Sequence, residues 1–198
     1  DGGGSSAIDV SDINPDDIKL DVITDPTRKA QVAIKQEEAK AEAIRKEKKT
    51  KIISMQSTLE EYVDLNKTIK NCDETIEEYL ADIKKAESEP DYEPSQYDYE
   101  RRQISSNRKE KAAAKQKLET TVAKKMELYQ IPTDKDEATR IIERLSKKLD
   151  EETSQSQKSQ KEKLDFLIKK YTKEKIENDK EKEKRGRIGL DNIVNAHV

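Results

Sequence analysis

The chain has no tryptophan, one phenylalanine and one histidine in 198 residues, and aromatic side chains make up only 4% of it. Large rings supply much of the buried area in compact cores, so a globular domain of ordinary packing is not expected here. A single cysteine, Cys72, excludes an internal disulfide. The single histidine, His197, sits beside the last residue. It is read as a solvated side chain, and no Cys/His cluster has the spacing of a metal site. Nucleophilic catalysis needs a Ser or Cys activated by a positioned base, and one terminal imidazole does not provide it. Glycine is scarce, with five residues. The run Gly2-Gly3-Gly4 has neither a preceding strand nor a following Lys-Ser/Thr, so no phosphate loop is present. No catalytic, cofactor-binding or metal-ligating residue is therefore nominated, and a non-enzymatic protein is expected. No apolar run approaches the roughly 18–20 residues of a membrane span, and no secretory signal is visible in the chain. That points to an intracellular location or one inside a particle. The chain opens on Asp1 rather than Met, which leaves room for an upstream segment or domain.

What the chain has is charge. Charged residues are 42% of the composition and hydrophobic ones 31%, against roughly 25% and 45–50% in typical soluble domains. With 40 basic and 43 acidic residues the net charge is only −3. A folded helical protein is therefore favoured over the disorder that low hydrophobicity with high net charge produces. The charge is also segregated: residues 59–100 hold 14 acidic and 4 basic side chains, and residues 101–125 hold 9 basic and 2 acidic. Between them the run Pro90-Asp91-Tyr92-Glu93-Pro94 breaks the helix. A helix that runs acidic, turns there and returns basic predicts an antiparallel hairpin.

Residues 1–25 read as a flexible acidic arm, with seven Asp against one Lys. Within it Ile18-Lys19-Leu20-Asp21-Val22 alternates with period two, as a short strand would. Asp25 and Pro26 suit the N-cap and first position of a helix. That helix can run unbroken to about Glu89, roughly 90–95 Å at 1.5 Å per residue. Its basic first half has few large apolar groups, and its second half carries a heptad: Met55, Tyr62, Ile69, Ile76 and Ile83, with Ile52, Leu59 and Leu80 in the complementary row. Asn66 and Asp73 interrupt that row, while Leu65 and Cys72 lie one residue earlier. Such a pattern predicts a coiled-coil seam with a local shift, Asn66 setting register. Ser95-Gln96-Tyr97-Asp98 has the spacing of a capping box for a second helix ending near Tyr129, with Ile104, Ala114, Leu118, Val122 and Met126 as its apolar positions. With the turn near residue 93, Glu77, Glu78 and Asp82 are expected at the level of Arg108, Lys109 and Lys111.

Ile131-Pro132 ends the second helix, and Thr133-Asp134-Lys135-Asp136 opens a third. Ala138, Ile141, Ile142, Leu145 and Leu149 form its apolar stripe. Residues 150–163 contain no hydrophobic residue and read as a solvated spacer that cannot pack tightly. Leu164, Leu167, Ile168, Tyr171 and Ile176 follow. Gly186 is expected to stop the helix, leaving 188–198 as a tail whose apolar patch, Ile188 to Val194, could dock on something. Because the three helices differ in length, the basic start of the first and the far half of the third are expected to project and to need a partner.

The sequence thus predicts an all-α, elongated coiled coil: an antiparallel hairpin over 26–129, then a third long helix within 130–187. The interaction seam is assigned to Ile52, Met55, Leu59, Tyr62, Asn66, Ile69, Ile76, Leu80, Ile83, Leu118, Val122, Ile141, Leu145 and Leu149. Further partner contacts are assigned to Ile18, Leu20, Val22, Tyr97, Tyr99, Leu164, Leu167, Ile168 and Tyr171. Tyr92, Tyr97 and Tyr99 either anchor a partner or cap the two helix ends. The expected function is structural or scaffolding, through self-association or protein partners in a larger complex, without membrane contact. One alternative is a helical segment of a virion or other multi-subunit assembly. The other is nucleic-acid association through the basic clusters 45–51 and 182–187, against which interleaved Glu residues count.

Overall fold

A computed structural model describes residues 18–196, and all its regular structure is helical. Helix α1 spans Pro26–Glu87. Helix α2 spans Asp98–Lys117 and continues through a π-helical turn, Leu118–Val122, into α3, Ala123–Tyr129. Helix α4 spans Lys135–Ala196. The protein is all-α, and no strand forms among the described residues.

Two helix starts form as their sequences dictate. The Asp25 carboxylate accepts the Arg28 amide at 3.0 Å, and the Asp134 carboxylate accepts the Glu137 amide at 2.9 Å. Each satisfies one of the amide donors that a first helical turn leaves without a partner. Other boundaries differ from expectation. The alternating run 18–22 is not a strand: Leu20–Val22 is one 3₁₀ turn. The Gln36 side chain donates to the Ile18 carbonyl at 2.7 Å, which ties the run to α1 rather than to a neighbouring strand. The capping box at Ser95 does not form either. Pro94–Tyr97 is a 3₁₀ turn leading into α2, and neither start carries a side-chain cap. Gly186 does not stop α4, which runs on past Gly189. Glycine costs a helix only about 1 kcal/mol, and the pairs Arg185–Glu181 and Arg187–Glu183 brace the helix on either side of it. His197 lies outside the described residues.

The contacts divide the chain into two compact units: residues through Lys48 with those from Leu149 onward, and Lys49–Lys148. They are called here the end unit and the inner unit. In the inner unit α1 and α2 run antiparallel, as the charge pattern predicts, with Lys111 bonded to Asp73 and Lys117 to Glu61. Lys111 thus meets Asp73, not the carboxylates at 77, 78 and 82. Met55, Val122, Met126, Ile131, Ala138 and Ile142 of this unit are buried, and Leu59 and Val63 of α1 line one groove with Thr139 and Ile142 of α4. Toward the turn only α1 and α2 remain, and Ile76, Ile83 and Ile104 form the core with Tyr79 and Tyr97 packed on it.

The end unit overturns the expectation of two unpartnered arms. The basic start of α1 and the middle of α4 pack on each other, antiparallel. Lys48 bonds to Glu152 at 3.0 Å, Glu37 to Lys163 at 3.2 Å, and the Lys29 ammonium lies 4.7 Å from the centre of the Tyr171 ring. Between these contacts α1 recedes by eleven and then eight residues while α4 advances by the same numbers. The stretch 150–163 is therefore no solvated spacer. It is helical, and Glu152, Thr153, Ser156, Ser159 and Gln160 are half-buried along one stripe. Ala41 of α1 and Ser156 of α4 line one cleft with Ile34, Gln160 and Lys163, so small side chains let the two helices approach there. Thr153 and Ser159 return their hydroxyls to the carbonyls of Leu149 and Ser156, so neither of these half-buried donors is left without a partner.

Candidate protein-interaction surfaces

The seam of α1 bends away from a strict heptad. Ile52, Met55, Leu59, Ile76 and Ile83 are buried, and Tyr62 and Ile69 half-buried. The complementary row shifts by one residue after Tyr62. Leu65, Cys72, Tyr79 and Ala86 face inward, while Asn66 and Leu80 are exposed. Asn66 donates its amide to the carbonyl of Tyr62, one turn back on its own helix, at 3.0 Å. It holds no register across the seam. A strict seven-residue row drifts by about 20° per heptad round a straight helix, and the buried face of α1 follows that drift as its neighbours change along the inner unit.

The second helix of the hairpin contains an irregularity that sequence periodicity had not exposed. Ala114, Leu118, Val122 and Met126 recur at intervals of four. On an α-helix each such step advances about 40°, so the row would walk about 120° round the axis. The π turn over Leu118–Val122 absorbs that advance. Ala114, Val122 and Met126 are buried and Leu118 is half-buried on one face. The helix then ends on Gln130, which is left-handed at φ 55°. The Ile131 amide reaches back to the Met126 carbonyl at 2.8 Å and the Gln130 amide to Glu127 at 3.1 Å. This is a Schellman closure, with both Met126 and Ile131 buried. On α4, Ile141 and Leu149 are half-buried and Leu145 is exposed.

At the hairpin turn the tyrosines contact one another. Tyr92 and Tyr97 lie with ring centres 5.8 Å apart, and Tyr79 and Tyr99 meet edge to face at 6.4 Å. Arg101 clamps the turn, donating to the Pro94 carbonyl and the Tyr92 hydroxyl, each at 2.6 Å. Burial pushes the Tyr79 phenol above its ordinary value, with Tyr99 and Glu100 adding to the shift. The Cys72 thiol is also pushed up, first by burial and then by the Glu110 carboxylate. A buried thiol held in its neutral form is a poor nucleophile.

In the end unit Ile18, Leu20, Leu164, Leu167, Ile168 and Tyr171 are half-buried, and Val22 is exposed. Continuing the register of its ion pairs, Pro26 stands opposite residue 174, so α4 outruns α1 there. From 172 to 196 every residue of α4 is exposed. Five of them are large apolar side chains: Ile176 50%, Ile188 51%, Leu190 64%, Ile193 59% and Val194 60% exposed. Leu190, Ile193 and Val194 fall on one helical face, at spacings of three and four. The basic clusters are partly engaged by the protein's own acids, since Lys48, Arg185 and Arg187 each pair with a glutamate. No group of acidic, His or Cys residues that could hold a metal occurs among the described residues. Nor is any described helix long and apolar enough to cross a membrane. Comparison with protein-family models, curated proteins and solved structures finds no match to this chain.

Proposed function

We propose that this protein is a non-enzymatic assembly component, a helical scaffold that self-associates or joins protein partners within a larger complex. One observation carries the reading: the last stretch of α4, residues 172–196, is helical yet packs against nothing among the described residues. A helix of this length owes most of its stability to tertiary packing rather than to intrinsic propensity. Its apolar face at Leu190, Ile193 and Val194 is the kind that becomes buried against another helix. The charged remainder of the overhang, with its Arg–Glu pairs, keeps the segment helical and soluble until it docks.

Hydrogen exchange of the full chain across a concentration series, with mass followed by light scattering, tests the reading. Amides of 172–196 are expected to gain protection as the mass rises, and L190E/I193E is expected to abolish both changes. Fast exchange of 172–196 in every associated state, with mass unaffected by L190E/I193E, would remove the basis for it.

A further inference from the structure

A second surface, on the inner unit, has the chemistry of a receptor. Where only α1 and α2 remain, a groove of about 550 Å³ opens over Leu80, Ile83, Ile104 and Ala112. Leu80 is 44% exposed there, although the heptad had placed it in the seam. The charged side chains lining the groove are Arg101, Arg108 and Lys109, with no carboxylate among the lining residues. Arg101 is occupied by the turn. Arg108 and Lys109 are exposed and take part in no ion pair or side-chain hydrogen bond among the described residues. An apolar floor beside two uncommitted cations suits a segment that interleaves apolar and acidic residues.

The chain itself carries such a segment. Ile8-Asp9-Val10-Ser11-Asp12-Ile13 lies in a stretch where the first 25 residues hold seven Asp and one Lys. The bond from Gln36 to the Ile18 carbonyl, just after this segment, belongs to the end unit, whereas the residues lining the groove belong wholly to the inner unit. The geometry points to this groove as the receptor for the acidic amino-terminal segment of a second copy. Ile8, Val10 and Ile13 supply the apolar contacts, and Asp9 and Asp12 the charges that meet Arg108 and Lys109. The inference rests on the assembly reading and adds to it a donor, an acceptor and a direction. Donor and acceptor are different surfaces, so two copies either exchange segments reciprocally in a closed dimer or repeat the contact head-to-tail.

Charge reversal with rescue tests it on the full chain. Light scattering at low ionic strength compares the parent with R108E/K109E, with D9K/D12K and with the fourfold variant that combines them. All four positions carry charge at the proposed contact, and circular dichroism checks that helical content is unchanged. The midpoint concentration for association is expected to rise about tenfold or more in each double variant and to return toward the parent value in the fourfold one. The parent's association is also expected to weaken as salt rises. A double variant that associates like the parent overturns the assignment, as does a fourfold variant that fails to recover. A parent that stays monomeric at every concentration excludes a second copy as the occupant and overturns it as well. If R108E/K109E leaves association unchanged while L190E/I193E abolishes it, the groove assignment falls and the assembly reading stands.

Discussion

Single residues set the local character of this protein through backbone strain, burial and proton binding. Gln130 occupies a left-handed conformation that costs a side-chain-bearing residue about 1 kcal/mol and glycine nothing. Replacing it with glycine is expected to raise unfolding free energy by about 0.5–1 kcal/mol, read as a higher urea midpoint at unchanged slope. Cys72 and Tyr79 both bind their protons more tightly when folded than their ordinary values of 9.0 and 10.0 allow. Above those values the unfolded chain has lost protons that the folded chain still holds, so stability falls as pH rises. Below pH 9 their contribution is fully present. Urea midpoints are therefore expected to decline from about pH 9 upward, and Cys72→Ala is expected to flatten the first part of that decline. A midpoint constant to pH 11 would show that neither group is coupled to folding.

At the scale of elements, spacing decides geometry. The four-residue spacing of Ala114, Leu118, Val122 and Met126 demands an extra residue in one turn, and the π turn supplies it. Deleting Thr121, an exposed residue of that turn, restores intervals of four, three and four. It is expected to leave the helical circular dichroism intact and to cost under about 1 kcal/mol. Deleting Ser106, in the regular part of α2, rotates the following apolar row by about 100°. That deletion is expected to cost about 3 kcal/mol or more. Equal losses would mean that the π turn is not what aligns the row. The 18–22 run shows the converse limit of pattern reading. Its period-two alternation is real, but a strand needs a neighbour for its backbone, and here α1 takes the Ile18 carbonyl instead.

For the molecule as a whole, the division into end unit and inner unit follows from which residues are buried where. Val32 is buried in the first, and Met55 in the second. Truncating Met55 to alanine is expected to cost about 2–5 kcal/mol, and Val32→Ala somewhat less. If the units open separately, Val32→Ala raises amide exchange in 18–48 and 149–171 and leaves 49–148 protected. Met55→Ala then does the reverse. Identical exchange profiles for the two variants would show a single cooperative unit. The polar 150–163 face belongs to the same scale. Its ion pairs are exposed and contribute only about 0–1 kcal/mol each, so they set register in the end unit more than they stabilise it.

Helical class, the antiparallel return after residue 90, the cap at Asp25 and a capped start within 133–136 were legible in the sequence. Each depends on neighbours within a few residues or on a long repeating pattern, and helix periodicity and capping act locally. Three things were decided only by the tertiary structure. The start of α1 and the middle of α4, which lie more than a hundred residues apart, pair over 150–163 through small and charged side chains, a stretch that carries no hydrophobic signal. Leu80 leaves the seam for an open groove because the buried face of α1 turns when its neighbours change. The exposed end of α4 becomes a surface because α1 begins at Pro26 and can follow it no further. In each case the deciding quantity is which distant backbone stands opposite, and that is a property of the packed helices rather than of any local run of residues.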